Sequence, residues 1–380
     1  VDRLKKMNKR VIISSVAGLF VIILIVILLA NCAKTDDTTV DAEMPAVEEP
    51  IDSAAAFAPE ETVDKGTSEP EVNLPYTYPL TGKPAAENMK DRPFVVMVEN
   101  YLTARPQSGL DQADLVYEVL AEGNITRFVA VYHSQPAEAI GPVRSIRPYF
   151  IELGLGFDGI LVHAGWSQVA MNLIAEQKLN HLDQVYGDHP YFWRDKARAS
   201  PHNVFTSTKL MKKGVSAKKF RKKWVDPELR FTQVKPQDGT RPAEGQPATS
   251  ITIPYVQSYA VGYDYQASSN TYLRSMDGTP HVDRISDKVL SATNVLIIEA
   301  KHRVVDDDGR RSVDVYGPGR GYLLQNGLIR RIIWENRNDV IRAYEPSGKQ
   351  AEIPLFPGQT WVQIIPKLEQ VSYAYRAAAE

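Results

Sequence analysis

Leu115-Val-Tyr-Glu-Val-Leu-Ala-Glu122 and Ile125-Thr-Arg-Phe-Val-Ala-Val-Tyr132, joined by Gly123-Asn124, decide the fold class. Each run is eight residues rich in Val, Tyr or Phe, and Gly-Asn suits a tight primed turn, so the pair reads as a β-hairpin. In the closest register Glu122 faces Ile125 and Leu120 faces Arg127. That register places Glu118, Glu122 and Arg127 on one face and predicts that Arg127 bridges one of the two carboxylates. Upstream, Phe94–Glu99 is a buried strand ending at Asn100. Downstream come a short helix at Pro148–Leu155, a buried strand at Ile160–His163 and an amphipathic helix over 167–179. A hairpin followed by alternating helices and strands argues α+β and not a regular parallel α/β fold.

Further along, 236–249 reads PQDGTRPAEGQPAT, a Pro, Gly and charge-rich stretch with the character of a linker. Beyond it, short strands are expected over 250–255, 271–274, 295–298, 312–316, 321–324, 329–334 and 360–365, separated by DG, GPG, NG, SGK and PGQ turns. Helix signals are scarce there. The body therefore divides into an N-terminal α+β domain over 76–235, a linker over 236–249, and a mainly β C-terminal domain over 250–372.

The N-terminus carries a different signal. Arg3, Lys5, Lys6, Lys9 and Arg10 precede Val11 to Ala30, an apolar run of 20 residues broken only by Ser14 and Ser15. As a helix it would be about 30 Å long, enough to cross a hydrocarbon core, with its basic side in the cytoplasm. It ends Leu29-Ala30-Asn31-Cys32, and Cys32 is the one cysteine in 380 residues. That ending resembles a bacterial lipobox, although Asn31 stands where Gly, Ala or Ser is usual. Residues 1–32 thus read as a signal peptide with lipidation at Cys32, or as an uncleaved transmembrane anchor with an incidental cysteine. Val1 reads as a non-standard start and Met7 as the alternative. Both anchor readings put the rest on the extracytoplasmic face of the cell membrane. Residues 33–75 hold twelve acids against Lys34 and Lys65, with Phe57 the lone aromatic, and read as an acidic, disordered tether.

Charge separates the segments further. The whole chain carries 44 Lys+Arg and 46 Asp+Glu, but 75–380 holds 37 basic and 33 acidic groups. This mild excess excludes a dedicated nucleic-acid binder. A single cysteine outside the body excludes intrachain disulfides, a cysteine zinc site and thiol catalysis in the body.

Several segments resemble one family. Gly141-Pro-Val-Arg-Ser-Ile-Arg-Pro-Tyr-Phe150, His163-Ala-Gly-Trp-Ser167, Phe192-Trp-Arg-Asp195 and Pro201-His-Asn203 are similar to hallmarks of the YerB-like lipoproteins of Gram-positive bacteria. Gly278-Thr-Pro-His-Val-Asp283, Gly317-Pro-Gly-Arg-Gly321 and Leu355-Phe-Pro-Gly-Gln-Thr-Trp361 follow in the family's order, so the resemblance spans about 76–370. It implies a two-domain α+β exported protein with a domain of unknown function, and it transfers no catalytic role.

The side chains themselves supply the candidates. Arg144 and Arg147 precede a helix opened by Pro148, where guanidinium forks and free N–H groups favour an anion; the alternative is internal pairing with Glu118 or Glu122. His163 ends an apolar strand and Ser167 opens a helix, where a serine serves as an N-cap; Val169 breaks the G-x-S-x-G pattern. Arg194, Asp195, His202 and Asn203 lie on loop sequence, where binding groups concentrate and where a histidine can equally brace the loop. Lys209, Lys212, Lys213, Lys218, Lys219, Arg221, Lys222 and Lys223 form a basic helix without an acid, read as a solvated face or a patch for lipid headgroups and teichoic-acid phosphates.

Other chemistries lack their signatures. Ser216-Ala-Lys-Lys219 matches S-x-x-K of penicillin-binding proteins, but no K-T-G exists in the chain. Asp306-Asp-Asp-Gly309 lacks EF-hand spacing and reads as a hairpin turn. Gly317–Gly321 lies between strands, unlike a phosphate loop. No metal site and no cofactor are expected. Two functions remain: a non-catalytic envelope module binding a protein partner or an anionic wall polymer, or an enzyme acting on an envelope glycan or phosphate ester through Arg144, Arg147, Asp195 and His202.

Overall fold

Eight-residue runs of β-branched and aromatic residues form long strands, and these organise the chain around one extended sheet. The computed structural model describes residues 74–232, 245–347 and 351–376. The apolar run, Cys32 and the acidic segment to Asn73 lie outside the described residues, as does 233–244 of the stretch read as a linker. No helix among the described residues is long and apolar enough to cross a membrane.

The first half contains β1 (Phe94–Glu99), β2 (Leu115–Glu122), β3 (Ile125–Tyr132), α1 (Pro148–Leu155), β4 (Ile160–His163), α2 (Gln168–Glu176), β5 (His181–Asp183) and α3 (Thr208–Ala217). The second half contains β6 (Ser250–Val256), β7 (Tyr259–Gln266), β8 (Thr271–Met276), β9 (Asn294–Glu299), β10 (Gly319–Gln325), β11 (Leu328–Arg337), β12 (Val340–Tyr344), β13 (Thr360–Ile365) and β14 (Ser372–Ala374). The architecture is α+β, and the second half is mainly sheet.

The eleven-stranded sheet runs β11, β10, β9, β13, β2, β3, β1, β4, β5, with β12 and Gln246–Pro247 both beside β11. Its two halves join where β13 lies parallel to β2, Thr360 opposite Leu115 and Ile364 opposite Val119. Alternation along β1 and β2 sorts the two faces. Val95, Met97, Tyr117 and Val119 pack under α1 with Tyr149, Phe150 and Leu153. Phe94, Val96, Val98, Val116 and Leu120 pack against the second sheet, built from β8, β7, β6 and β14. The result is layered: α1 and α2 cover one face of the large sheet, and the second sheet and α3 cover the other.

The hairpin forms over the expected residues, with Glu122 opposite Ile125, but its register departs from the expected one. A bulge at Ala121 sets Thr126 opposite Leu120 and Arg127 opposite Val119. One extra residue reverses the faces beyond it. Glu122 therefore joins Arg127 on the α1 side, where they bridge at 2.9 Å, while Glu118 points to the opposite face. The shared face expected for Glu118 is thus corrected, and the Arg127 bridge is observed.

Glu118 anchors the contact between the two sheets. It is fully buried and pairs with Arg274 of β8 at 2.7 Å. It also accepts from Thr126 Oγ1 at 2.8 Å and Tyr259 Oη at 2.7 Å. The Arg274 guanidinium lies over Trp361, 4.6 Å from the ring centroid. A buried ion pair survives only with such full hydrogen bonding.

Candidate functional site

β1, β4 and β5 run parallel, so their carboxyl ends open on the same edge of the sheet. In open sheets that edge is where loops converge to bind ligands. β1 ends Glu99-Asn100-Tyr101, β4 leads into Ala164-Gly165-Trp166, and β5 into Gln184-Val185-Tyr186.

Buried Glu99 is the pivot. Arg144 Nε donates to its Oε1 at 2.9 Å and His202 Nδ1 to its Oε2 at 2.8 Å. A carboxylate only accepts, so Nδ1 carries a hydrogen and the other ring nitrogen is left without a hydrogen-bond partner among the described residues. Tyr101 stacks on the His202 ring at 5.4 Å. Beside them opens a cleft of about 580 Å³ lined by Tyr101, Thr103, Arg105, Arg198, His202 and Arg284, with Ala197 and Ala199. Three arginines and a histidine line it without an acid. Asp195 stands behind and accepts from Arg284 Nη1 at 2.6 Å. The backbone N–H of Ala197, and then Arg284, hold the Asp195 carboxyl below its usual range.

A chain of hydrogen bonds from the core fixes Arg105. Arg274 Nε can only donate, so His281 Nδ1 accepts at 3.0 Å and the neutral ring donates from Nε2 to Gln107 Oε1 at 2.8 Å. Burial first, and then the Arg274 charge, push the His281 imidazole well below its normal value. Gln107 Nε2 donates to Asn100 Oδ1 at 2.9 Å, and Arg105 Nε donates to that oxygen at 3.1 Å. Arg198 Nη1 donates to the carbonyl of Ala104 at 2.9 Å. Backbone and amide oxygens thus orient Arg105 and Arg198 at hydrogen-bond distance, with Asp277 3.8 Å from Arg105 and Asp195 4.0 Å from Arg198, while Arg284 pairs directly with Asp195.

The N-terminal domain of DUF3048, a protein family of unknown function, matches residues 80–221, and its C-terminal domain matches 251–362. A Bacillus subtilis (strain 168) protein named "Putative lipoprotein YerB" is 37% identical over 297 residues, 77% of this chain and 87% of that one. This chain belongs to the DUF3048 family. The crystal structure of the Bacillus subtilis YerB protein is similar with a TM-score of 0.72 and 35% identity, covering 79% of this chain and 99% of that one.

The sequence of this chain suggests a shared anion corner for Arg144 and Arg147, and the structure gives each arginine its own carboxylate, Glu99 and Glu122. Arg147 caps α1 and pairs with Glu122, which also holds Arg127. His163 is fully buried, with Nδ1 3.0 Å from the carbonyl of Gly165 and Nε2 3.1 Å from His181 Nδ1. Burial dominates and pushes its imidazole down to about 4, Asp183 opposing the shift and His181 adding to it. Ser167 is the N-cap of α2, accepting from Ala170 N. Arg194 Nη1 donates to Asn203 Oδ1 at 2.8 Å, and Asn203 Nδ2 donates to the carbonyl of Arg198. Of the candidates, His202 lines the cleft, Arg144 and Asp195 stand behind its walls on Glu99 and Arg284, Arg194 and Asn203 brace its loop, and Arg147, His163 and Ser167 serve the scaffold.

Glu99, Tyr101, Arg105, Arg198 and Arg284 escaped the sequence reading. Glu99 ends β1 and Tyr101 and Arg105 follow on the turn after it, whereas Arg198 and Arg284 lie far along the chain with no spacing that links them to that turn. The usable signal was Glu99, a carboxylate at the end of an otherwise apolar strand. The basic stretch is also corrected: α3 ends at Ala217, and Lys219 takes φ +53°, so 218–223 runs off as irregular chain.

Proposed function

We propose that this chain is a lipoprotein held by its N-terminus on the extracytoplasmic face of the membrane, whose carboxyl-end cleft binds an anionic wall polymer without catalysis. The family relative named as a lipoprotein and the position of Cys32 after an apolar run support the anchoring. One observation carries the binding function: Arg105, Arg198, Arg284 and His202 line a cleft with no acid among its walls. Guanidinium forks in fixed orientation suit the oxygens of a phosphodiester or carboxylate. Exposed Tyr101, Tyr186 and Trp193 near the same edge offer apolar faces to the polymer's backbone.

The experiment is co-sedimentation of the full chain with purified Gram-positive cell walls, intact or stripped of teichoic acid. Retention on intact walls alone supports the proposal, and equal retention on both contradicts it. A second reading rests on the Glu99–His202 pair, a carboxylate-oriented imidazole able to accept a proton. It predicts turnover of a phosphodiester in the cleft that disappears with His202→Gln while binding persists.

A further inference from the structure

A second basic site occupies the other end of the same strands. Phe94 and Ile160, paired at the amino ends of β1 and β4, floor a hollow of about 200 Å³ whose rim carries Lys212, Ser216, Arg221 and Lys222. Asp91 is the single acid at that rim. Arg221 is held by Asp158 through two bonds of 2.8 and 2.6 Å, and Lys218 by Asp188 at 2.8 Å. The remaining bases of the stretch, Lys209, Lys212, Lys213, Lys219, Lys222 and Lys223, are exposed and make no ion pair among the described residues. Immediately after them Val225 is 64% exposed and Trp224 is half-buried, its Nε1 donating to the carbonyl of Phe157 at 2.8 Å.

The geometry points to this face as a docking surface for a bilayer of anionic lipid headgroups. A single small anion would need a few converged donors, as in the cleft; here the bases spread over fifteen residues of chain, which suits an extended charged plane. An apolar tip beside lysines, with an indole behind it, fits the region where headgroups meet acyl chains. Position adds a consequence. From Phe94 to Tyr101 extended chain covers about 23 Å, so a body seated on this face turns its cleft away from the membrane and toward the wall. The inference draws on the proposed anchoring, which holds the body near a bilayer and raises its effective concentration there, but the face itself is independent of the cleft.

The test is lysine acylation footprinting of the full chain mixed with phosphatidylglycerol vesicles, phosphatidylcholine vesicles or soluble glycerol phosphate, read by mass spectrometry. Modification of Lys212, Lys219 and Lys222 should fall several-fold with phosphatidylglycerol alone and recover in 0.5 M salt, since exposed charge is screened within about 4 Å at that strength. Lys196, on the cleft's loop, should react equally throughout. Lys212→Gln/Lys219→Gln/Lys222→Gln should leave the other lysines of the stretch unprotected, and the same three changes to Arg should preserve protection. Equal footprints on both vesicle types, or equal protection by glycerol phosphate, overturn the docking surface. Flotation with phosphatidylcholine vesicles reads the anchoring separately; a chain that does not float there contradicts the anchor, while lysine protection by phosphatidylglycerol still supports the face.

Discussion

Arg274→Met removes one partner of an ion pair that the fold has buried completely. The substitution keeps an unbranched apolar stem in the site, while the guanidinium that lies over Trp361 and Phe128 disappears. Glu118 then faces Tyr259, Thr126 and Asn100 as an uncompensated carboxylate. Stranding one charge of a buried pair costs about 3–5 kcal/mol, and losing the cation over Trp361 adds about 1 kcal/mol. At about 2–4 °C per kcal/mol, the melting temperature should drop by roughly 8–24 °C. Glu118→Gln in the Arg274→Met background removes the stranded charge and keeps hydrogen bonding, so it should recover about half of the loss. Urea titrations of the four proteins close the cycle. Arg274→Met alone within 1 kcal/mol of wild type, or no recovery in the double variant, would falsify the claim that this pair fixes the contact between the sheets.

Other consequences follow from single groups. Burial holds the His163 imidazole at about 4, below the value near 6.5 of an unfolded chain, so the unfolded state takes its proton first as pH falls. Stability from His163 is therefore complete above about pH 6.5 and is lost toward pH 4; urea midpoints measured across that window should decline less steeply in His163→Gln. Ser167→Ala should cost about 1 kcal/mol as a lost N-cap, and an effect on anion binding with unchanged stability would mean that Ser167 faces ligand. Arg147→Lys keeps the charge but loses the fork that holds Glu122. It should lower the melting temperature by several degrees and leave anion affinity within about twofold; weaker binding at constant stability would return Arg147 to the site.

The strands of the first half were legible because eight-residue apolar runs between turn residues have few alternatives. The bulge at Ala121 was not, since one extra residue leaves the composition of the run unchanged while reversing the faces beyond it. β7 was also missed: Gly262 and Asp264 interrupt its apolar pattern, and only β6 and β8 on either side make it a strand. The pairing of β13 with β2 joins residues about 245 apart, and no local pattern carries that information. The site shows the same division. His202 and Asp195 stood out as polar residues on a loop, whereas Arg105 gains its role from a turn that folds it back onto Asn100 and Arg284 from Asp195, 89 residues away.

The central claim is that the carboxyl-end cleft holds an anion through geometry supplied by both halves of the chain. Isothermal titration of the full chain with a short glycerol-phosphate oligomer tests it most directly, comparing wild type with Arg198→Gln/Arg284→Gln and with Lys212→Gln/Lys219→Gln/Lys222→Gln. The account predicts saturable wild-type binding, at least a tenfold loss, about 1.4 kcal/mol, in the arginine pair, and unchanged binding in the lysine triple. Equal affinities in wild type and the arginine pair, or no binding by wild type, would contradict it.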